Sequence, residues 1–324
     1  MPTPLRISVA ICTCNGEPFL QEQLQSIAAQ SRQPDEVVAF DDISSDRTVE
    51  IVQTFASSAP FPVRIHQNTV RLGPAQNFAA AIAACTGEII CLGDQDDIWD
   101  PARLATAEAA FARAPRPAFV FSDADICDRN GQPLGYRLWD SVGFTPDLRR
   151  RFRAGRELDV LLRQNIVTGA TLSFLSEYRP LILPIDQRWM HDGWIALLLS
   201  AVAHGVALEQ PLVRYRQHPA QSVGAEWRSL YQQYLNARKM NRTVFNEQAD
   251  QYEAALERLQ EDSDFDIPPQ AVQLLQEKVR HSRRRAAIRQ RQIGRVIPSV
   301  TEFVTRRYSR FSLGWKSFAQ DLFL

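Results

Sequence analysis

An α/β fold is what this sequence predicts: a mostly parallel sheet with helices on both faces, followed by an α-helical region. Three observations lead there. Short β-rich runs alternate with helical runs through residues 1–225, turn or carboxylate residues follow the strands, and beyond residue 225 the pattern changes to long helices. The 324 residues are enough for two domains or for one large domain with an appendage. We expect an α/β domain over 1–225 and a helical, basic appendage over 226–324.

Each element has a local reason. Ile7–Cys12 reads as a buried strand, and Glu17–Gln30 as a helix with Phe19, Leu20, Leu24 and Ile27 toward one side. Glu36–Phe40 is the next strand. Asp46–Phe55 is a helix for which Ser44 or Ser45 offers an N-cap. Val63–Gln67 follows as a strand. Gly73-Pro74 then opens an Ala-rich helix to Cys85, stopped by Gly87, and Glu88–Gly93 is the fourth strand. Phe119–Ser122 enters a hairpin turned by Asn130-Gly131, with Asp123 given a turn role. Ile195–Ala203 reads as a helix and Val213–Gln217 as a strand. Glu226–Glu261 and Gln270–Arg295 are long helices separated by Pro268-Pro269.

Composition removes several function classes. Hydrophobic residues make up 45% and charged residues 23%, which is ordinary globular usage. Lys+Arg and Asp+Glu both number 37, so no global positive field exists to hold a nucleic acid. No run approaches the ~18–20 apolar residues of a membrane span, and the N-terminal apolar run is too short for a signal peptide. Five cysteines do not form a disulfide framework, and Cys12-x-Cys14 lacks a second pair to complete a zinc site. Cys12, Cys85 and Cys91 read as small buried apolar residues. The expected location is cytoplasmic, or peripheral on the inner face of the cytoplasmic membrane.

Ligands of parallel sheets lie beyond the carboxyl ends of the strands, and that is where the polar residues cluster. The first strand runs into Cys12-Thr13-Cys14-Asn15-Gly16, the second into Asp41-Asp42-Ile43-Ser44-Ser45-Asp46, the fourth into Asp94-Gln95-Asp96-Asp97. Massed carboxylates repel one another unless something positive or hydrogen-bonding satisfies them. Hard divalent cations take oxygen ligands, and Mg²⁺ commonly uses one or two carboxylates plus substrate phosphates. Asp94 and Asp96, two apart on extended backbone, point to one side and can share such an ion. Taken singly, Asp42 could instead cap the next helix, and Asp97 could make an Asx turn.

Together, S-V-A-I-C-T-C-N-G, F-D-D-I-S-S-D-R-T, R-L-G-P-A-Q-N-F and L-G-D-Q-D-D-I-W resemble the family-2 glycosyltransferases of the GT-A fold, over about residues 6–222. The resemblance implies an inverting enzyme with a nucleotide-diphosphate sugar donor and Mg²⁺ or Mn²⁺, its catalytic domain lying in residues 1–225. Carried over position by position, Cys12, Thr13, Asn15 and Asp42 hold the nucleobase and ribose. Asp94 faces the ribose or sugar, and Asp96 the metal, with His218 as a further metal or diphosphate contact. Asp192, in Trp189-Met190-His191-Asp192-Gly193-Trp194, is the general base; without the resemblance it reads as a helix N-cap. Gly169 and Ala170, with His191 and Trp194, are placed near the donor sugar and acceptor. Taken alone, Gly169 relieves a strand or bulge and His218 is a plain surface residue. Ile43 stands where the family usually has Gly, Cys14 where it has Tyr, and His191 where it has Glu.

The D-Q-D-D-I-W and H-D-G-W pair leans toward the rhamnosyltransferase-like branch. That implies dTDP-L-rhamnose as donor and a hydroxyl of a glycan or lipid-linked glycan as acceptor, in cell-surface polysaccharide or O-antigen synthesis. Two alternatives stand beside it: a UDP-hexose donor on the same fold, and a non-catalytic nucleotide-sugar-binding scaffold. A nucleotidyltransferase would want a Gly-rich phosphate loop after the first strand, which Cys12–Gly16 does not supply. The appendage carries 17 Lys+Arg against 12 Asp+Glu, or +5, and Lys278–Arg295 holds eight basic residues and no acidic one. Its basic–aromatic mixture fits either an anionic membrane surface or packing on the domain or a second subunit.

Overall fold

The structure, a computed structural model, describes residues 5–219, 221, 241–261, 264–290 and 294–323. The first strands and helices alternate as expected: β1 (Ile7–Thr13), α1 (Leu20–Ala28), β2 (Glu36–Asp41), α2 (Thr48–Ser58), β3 (Val63–Gln67), α3 (Pro74–Ala84) and β4 (Ile89–Asp94). There follow β5 (Ile98–Trp99), α4 (Arg103–Phe111), the hairpin β6 (Phe119–Cys127) and β7 (Pro133–Arg137), and α5 (Leu138–Ser141), α6 (Pro146–Arg153) and α7 (Glu157–Arg163). A 3₁₀ turn at Gly169–Thr171 leads into β8 (Leu172–Leu175), then α8 (Arg179–Ile182), α9 (His191–Val202) and β9 (Gly205–Arg216).

Among the described residues one sheet takes all nine strands, in the order β3-β2-β1-β4-β8-β6-β9-β5 with β7 on β6. The fold is α/β as expected, but only β3, β2, β1 and β4 form the parallel sheet that the strand–helix alternation implies. Beyond them β8 is antiparallel to both β4 and β6, and β5 is antiparallel to β9, so the second half is mixed. Alternate residues of the parallel strands enter two separate cores. Val9 and Ile11 join Leu24 and Ile27 of α1, while Ala10, Ile90 and Leu92 join Phe78 and Ile82 of α3 and the apolar α9. Both faces of β1, β2 and β4 are therefore buried, which is why they read as continuous apolar runs, whereas β3 lies half-exposed at the edge.

Three local expectations change. The start of α2 is capped by the Asp46 carboxylate, which accepts from the Thr48 amide at 3.0 Å; Ser44 and Ser45 are spent on Asn15 and Asp41 instead. Asp123 is no turn residue. It lies inside β6 where the register shifts, buried, with its Oδ1 accepting from the Ala124 and Trp139 amides. Cys12 is half-buried rather than buried, because β1 emerges there at the sheet edge.

The expected domain boundary near residue 225, and the first part of the expected helix 226–261, lie outside the described residues. The described part of that helix is Arg242–Gln260, capped by Asn241, whose Oδ1 accepts from Thr243 and Val244. It and the helix Pro269–Gln290 extend the α9 core through Tyr252, Ala255, Leu259 and Leu275. Polar ties reinforce the seam, with Trp189 Nε1 donating to the Gln251 carbonyl at 2.8 Å and Arg258 to that of Leu183 at 2.7 Å. Much of the basic run from Lys278 turns inward. Lys278 Nζ donates to the Phe311 carbonyl, Arg285 pairs with Asp321, Arg284 with Glu302, and Arg283 with Asp250 and Glu253. These charges have partners within the fold, although the Arg283 and Arg284 side chains remain 41% and 50% exposed. Among the described residues no helix is long and apolar enough to cross a membrane.

Candidate active site

The carboxyl ends of β1, β2 and β4 bring the three polar turns side by side, since β1 pairs with both neighbours in register up to Thr13↔Asp41 and Cys12↔Asp94. The Asp41 carboxylate accepts from Thr13 Oγ1 and from the amide and hydroxyl of Ser44, at 2.5–2.8 Å. Asn15, in the left-handed region at φ 50°, accepts from the Ser45 amide at 2.8 Å. Ile43 is left-handed too, at φ 59°, where a β-branched side chain is strained. Asp42 is buried and accepts from the Leu72 and Gly73 amides and from Asn68 Nδ2, at 2.7, 2.9 and 3.0 Å. Burial opposes its charge, yet these donors hold its carboxyl below the usual range. Of the expected nucleotide contacts, then, Thr13 has its hydroxyl bonded to Asp41, and Asp42 has most of its acceptor capacity filled by the 72–73 turn. Asn15 stays exposed at the rim.

Gln95 was not singled out from sequence, and it joins two of the turns. Its amide pairs with Cys14 as a strand would: Oε1 accepts from the Cys14 N–H at 2.8 Å and Nε2 donates to the Cys14 carbonyl at 3.1 Å. Gly16 makes room for it, since a Cβ there would lie 2.3 Å from Gln95 Oε1. The available signal was a glycine two residues past Cys14 and an amide side chain between two aspartates.

Asp96 and His218 meet, although 122 positions apart in sequence, with Oδ2 and Nε2 2.8 Å apart. The His218 ring lies on Phe19 at 4.5 Å between centroids. Arg216, two residues before His218 and only 2% exposed, latches the end of β9 to this loop. It donates to the Asp96 carbonyl at 2.7 Å, to the Arg129 carbonyl at 2.6 Å and to Glu22 at 2.5 Å, and its amide donates to Asp97 at 3.0 Å. Arg103, also buried, lies 3.5 Å over the Trp99 ring and donates to the Leu92 carbonyl. Neither arginine carried a sequence signal. Arg103 is the one cation of its helix and Arg216 one of two in β9, and only the packing directs them at the acidic loop.

The carboxylates are crowded. Burial, with Asp96 and Asp192 adding, pushes Asp94 up to about 7, and Arg103 only partly opposes this. Asp97 is raised well above the ordinary range, chiefly by burial, and its Oδ2 has no hydrogen-bond partner among the described residues. Asp192 stands in the first turn of α9, near enough to Asp94 to raise it. Its Oδ2 accepts from the Gly169 amide at 3.2 Å and its Oδ1 from the Gly193 amide at 2.6 Å.

Other expected contacts with sugar or acceptor are corrected by burial. Trp194 is 2% exposed and its Nε1 donates to the Ile182 carbonyl at 2.7 Å, so it is a core residue on the inner face of α9. The Ala170 side chain is wholly buried in the core around β1 and α1. His191 is buried as well, stacked on Phe78 at 4.0 Å, both ring nitrogens without a hydrogen-bond partner among the described residues. Burial holds it below the usual histidine range and hence neutral, against the pull of Asp192. It supports Gly169 from beneath and does not line open space: a Cβ on Gly169 would lie 2.4 Å from its Nε2.

Residues 8–165 match Glycosyl transferase family 2. An uncharacterized glycosyltransferase of Nostoc is 26% identical over 67% of this chain and 66% of its own length. Abequosyltransferase RfbV of Salmonella typhimurium is 31% identical over 56% of this chain and 54% of its own. dTDP-rhamnosyl transferase RfbG of Shigella flexneri is 37% identical over 28% and 32%. The fold is shared with S. aureus TarS 1-349 in complex with UDP-GlcNAc, at TM-score 0.56 and 14% identity over 98% of this chain and 81% of that one. It is shared also with mannosyltransferase PcManGT from Pyrobaculum calidifontis in complex with GDP-Man and Mn²⁺, at TM-score 0.52 and 17% identity over 99% and 86%. Residues 8–165 are thus similar to family 2 glycosyltransferases, the chain shares their α/β architecture, and it spans less than two thirds of the length of the curated relatives it matches.

Proposed function

We propose that the protein transfers a sugar, L-rhamnose from dTDP-L-rhamnose, to a hydroxyl of a glycan acceptor in cell-surface polysaccharide synthesis, by a single inverting displacement. The observation that carries the chemistry is the convergence of Asp94, Asp96–His218 and Asp192 with the Gly169 amide at one edge of the sheet. The donor identity rests on the D-Q-D-D-I-W and H-D-G-W motifs and on the relatives named for abequosyl and dTDP-rhamnosyl transfer.

In this reading the turns at Cys12–Asn15 and Asp42 seat the nucleoside, and Asp94 faces the ribose or sugar. Among the described residues no group of three or more His, Cys, Asp or Glu side chains is gathered as a metal site, so a divalent cation here would rely on the Asp96–His218 pair together with the donor's own phosphates. Asp96 and His218 would hold Mg²⁺ or Mn²⁺, which when bound offsets the charge growing on the departing diphosphate. Asp192, oriented by the Gly169 and Gly193 amides, takes the proton of the attacking hydroxyl.

Thermal unfolding in the presence of nucleotide sugars, with and without the cation, tests this for wild type and Asp96→Ala. A ligand of the native state raises apparent stability by RT ln(1 + [L]/Kd). Stabilisation by dTDP-rhamnose that needs the cation and vanishes in Asp96→Ala is the expected result. Stabilisation by UDP-hexoses alone moves the donor to that class, and no shift with any nucleotide sugar removes the catalytic reading.

A further inference from the structure

The helices Val296–Val304 and Trp315–Phe323 are inside out. A helix on a water-soluble surface turns its apolar stripe to the core and its polar face to solvent. In the first of these the buried residues are Ser299 and Glu302, and in the second Ser317, Gln320 and Asp321. Buried partners explain the inward polarity. Glu302 is held by His281, Arg284 and Arg307, and Asp321 by Arg285 and the Tyr308 hydroxyl. The apolar side chains consequently face out. Val296, Ile297, Val300 and Val304 occupy one stripe of the first helix, exposed by 41–78%, and Trp315 and Phe323 on the second are 68% and 76% exposed. The two helices pack together, with Phe303 and Phe318 in ring contact at 4.6 Å, so the patch is continuous. Residues 296–323 hold eight of the fourteen exposed large hydrophobics among the described residues, a concentration that marks an interaction surface.

Charge identifies what covers it. Both carboxylates of residues 294–323, Glu302 and Asp321, are buried in ion pairs, whereas Arg306 and Lys316 are exposed. The open face therefore offers apolar and cationic groups and no exposed carboxylate. A second copy meeting it across a twofold axis would set these cations against their own kind. The stripe carries no hydrogen-bonding side chain, and a Trp and cations lie along its fringe, the composition of a helix lying in a bilayer interface.

We propose that this two-helix face seats the protein on an anionic lipid surface, Val296, Ile297, Val300, Val304, Trp315 and Phe323 entering the headgroup–acyl boundary and Arg306 and Lys316 meeting lipid phosphates. This assignment uses different residues from the Lys278–Arg285 cluster, and it does not depend on the identity of the donor.

Co-sedimentation of the full chain with vesicles tests it, comparing phosphatidylglycerol mixed into phosphatidylcholine with phosphatidylcholine alone. Wild type should pellet with the anionic vesicles in a salt-sensitive way. The double variant Ile297→Asp/Val304→Asp should stay in the supernatant, and Lys316→Ala should bind about fivefold more weakly. The substituted side chains are exposed, so thermal unfolding and circular dichroism of the variants should match wild type. Wild type remaining in solution with anionic vesicles, or the double variant pelleting as wild type does, would overturn the proposal. Equal binding to polyglutamate would overturn the lipid assignment in favour of an acidic protein. A dimer in sedimentation velocity that the double variant dissolves, without vesicle binding, would do so in favour of a second copy.

Discussion

Replacing Gly169 by Ala tests how the turn beside Asp192 is held. The backbone at Gly169 is not left-handed, so alanine meets no dihedral penalty and the cost is steric. The new Cβ would lie 2.4 Å from His191 Nε2, about 1 Å inside ordinary contact distance. The ring cannot retreat easily, because it is stacked on Phe78 at 4.0 Å inside a packed core. Overpacking of this kind costs roughly 1–3 kcal/mol, offset by the ~0.4–1 kcal/mol that alanine saves by restricting the unfolded chain. A net loss of about 1–2 kcal/mol is expected in urea unfolding. The decisive measurement is the same substitution in a His191→Ala background. With the ring removed, Gly169→Ala should become neutral or stabilising, an interaction energy of about 2 kcal/mol. Additivity within ~0.5 kcal/mol would mean that the ring and the glycine loop are not in contact, and would refute the reasoning.

Other predictions follow from the same contacts. Asp192→Asn keeps the shape of the side chain but removes the proposed base; turnover should fall by roughly 10²–10⁴ with donor-induced stabilisation unchanged, and retained turnover would assign the proton elsewhere. Gln95→Leu leaves the Cys14 amide and carbonyl unpaired, and should cost about 1–3 kcal/mol in denaturant unfolding and weaken nucleotide-sugar binding with it. At Ile43, in the left-handed region, Gly should be more stable than Ala by about 1 kcal/mol, and the reverse order would show that this turn relaxes in solution. Burial lowers His281 to about 4, so the folded state binds fewer protons than the unfolded one between that value and about 6.5. Its contribution is complete above pH 6.5 and lost as pH falls toward 4, by up to about 3 kcal/mol; His281→Asn should flatten that part of the stability profile.

The parallel strands were legible because burial on both faces demands unbroken apolar runs, as in Ile7–Thr13 and Ile89–Asp94, and because the chain must turn polar where they end. The clustering of Asp42, Asp94 and Asp96 on one edge follows from parallel topology alone. What the sequence did not carry is pairing between distant segments. The insertion of β8 antiparallel between β4 and β6, the Gln95–Cys14 clamp and the Arg216 latch each join residues whose local context is unremarked. Burial of Trp194 and His191, against their expected places beside the substrate, depends likewise on which side of α9 meets the sheet. The C-terminal helices show the limit most plainly. Periodicity reports that one face is apolar, yet which face turns inward is decided by partners elsewhere in the chain. Here His281, Arg284 and Arg285 draw Glu302 and Asp321 into the fold, and the apolar stripes are left outside.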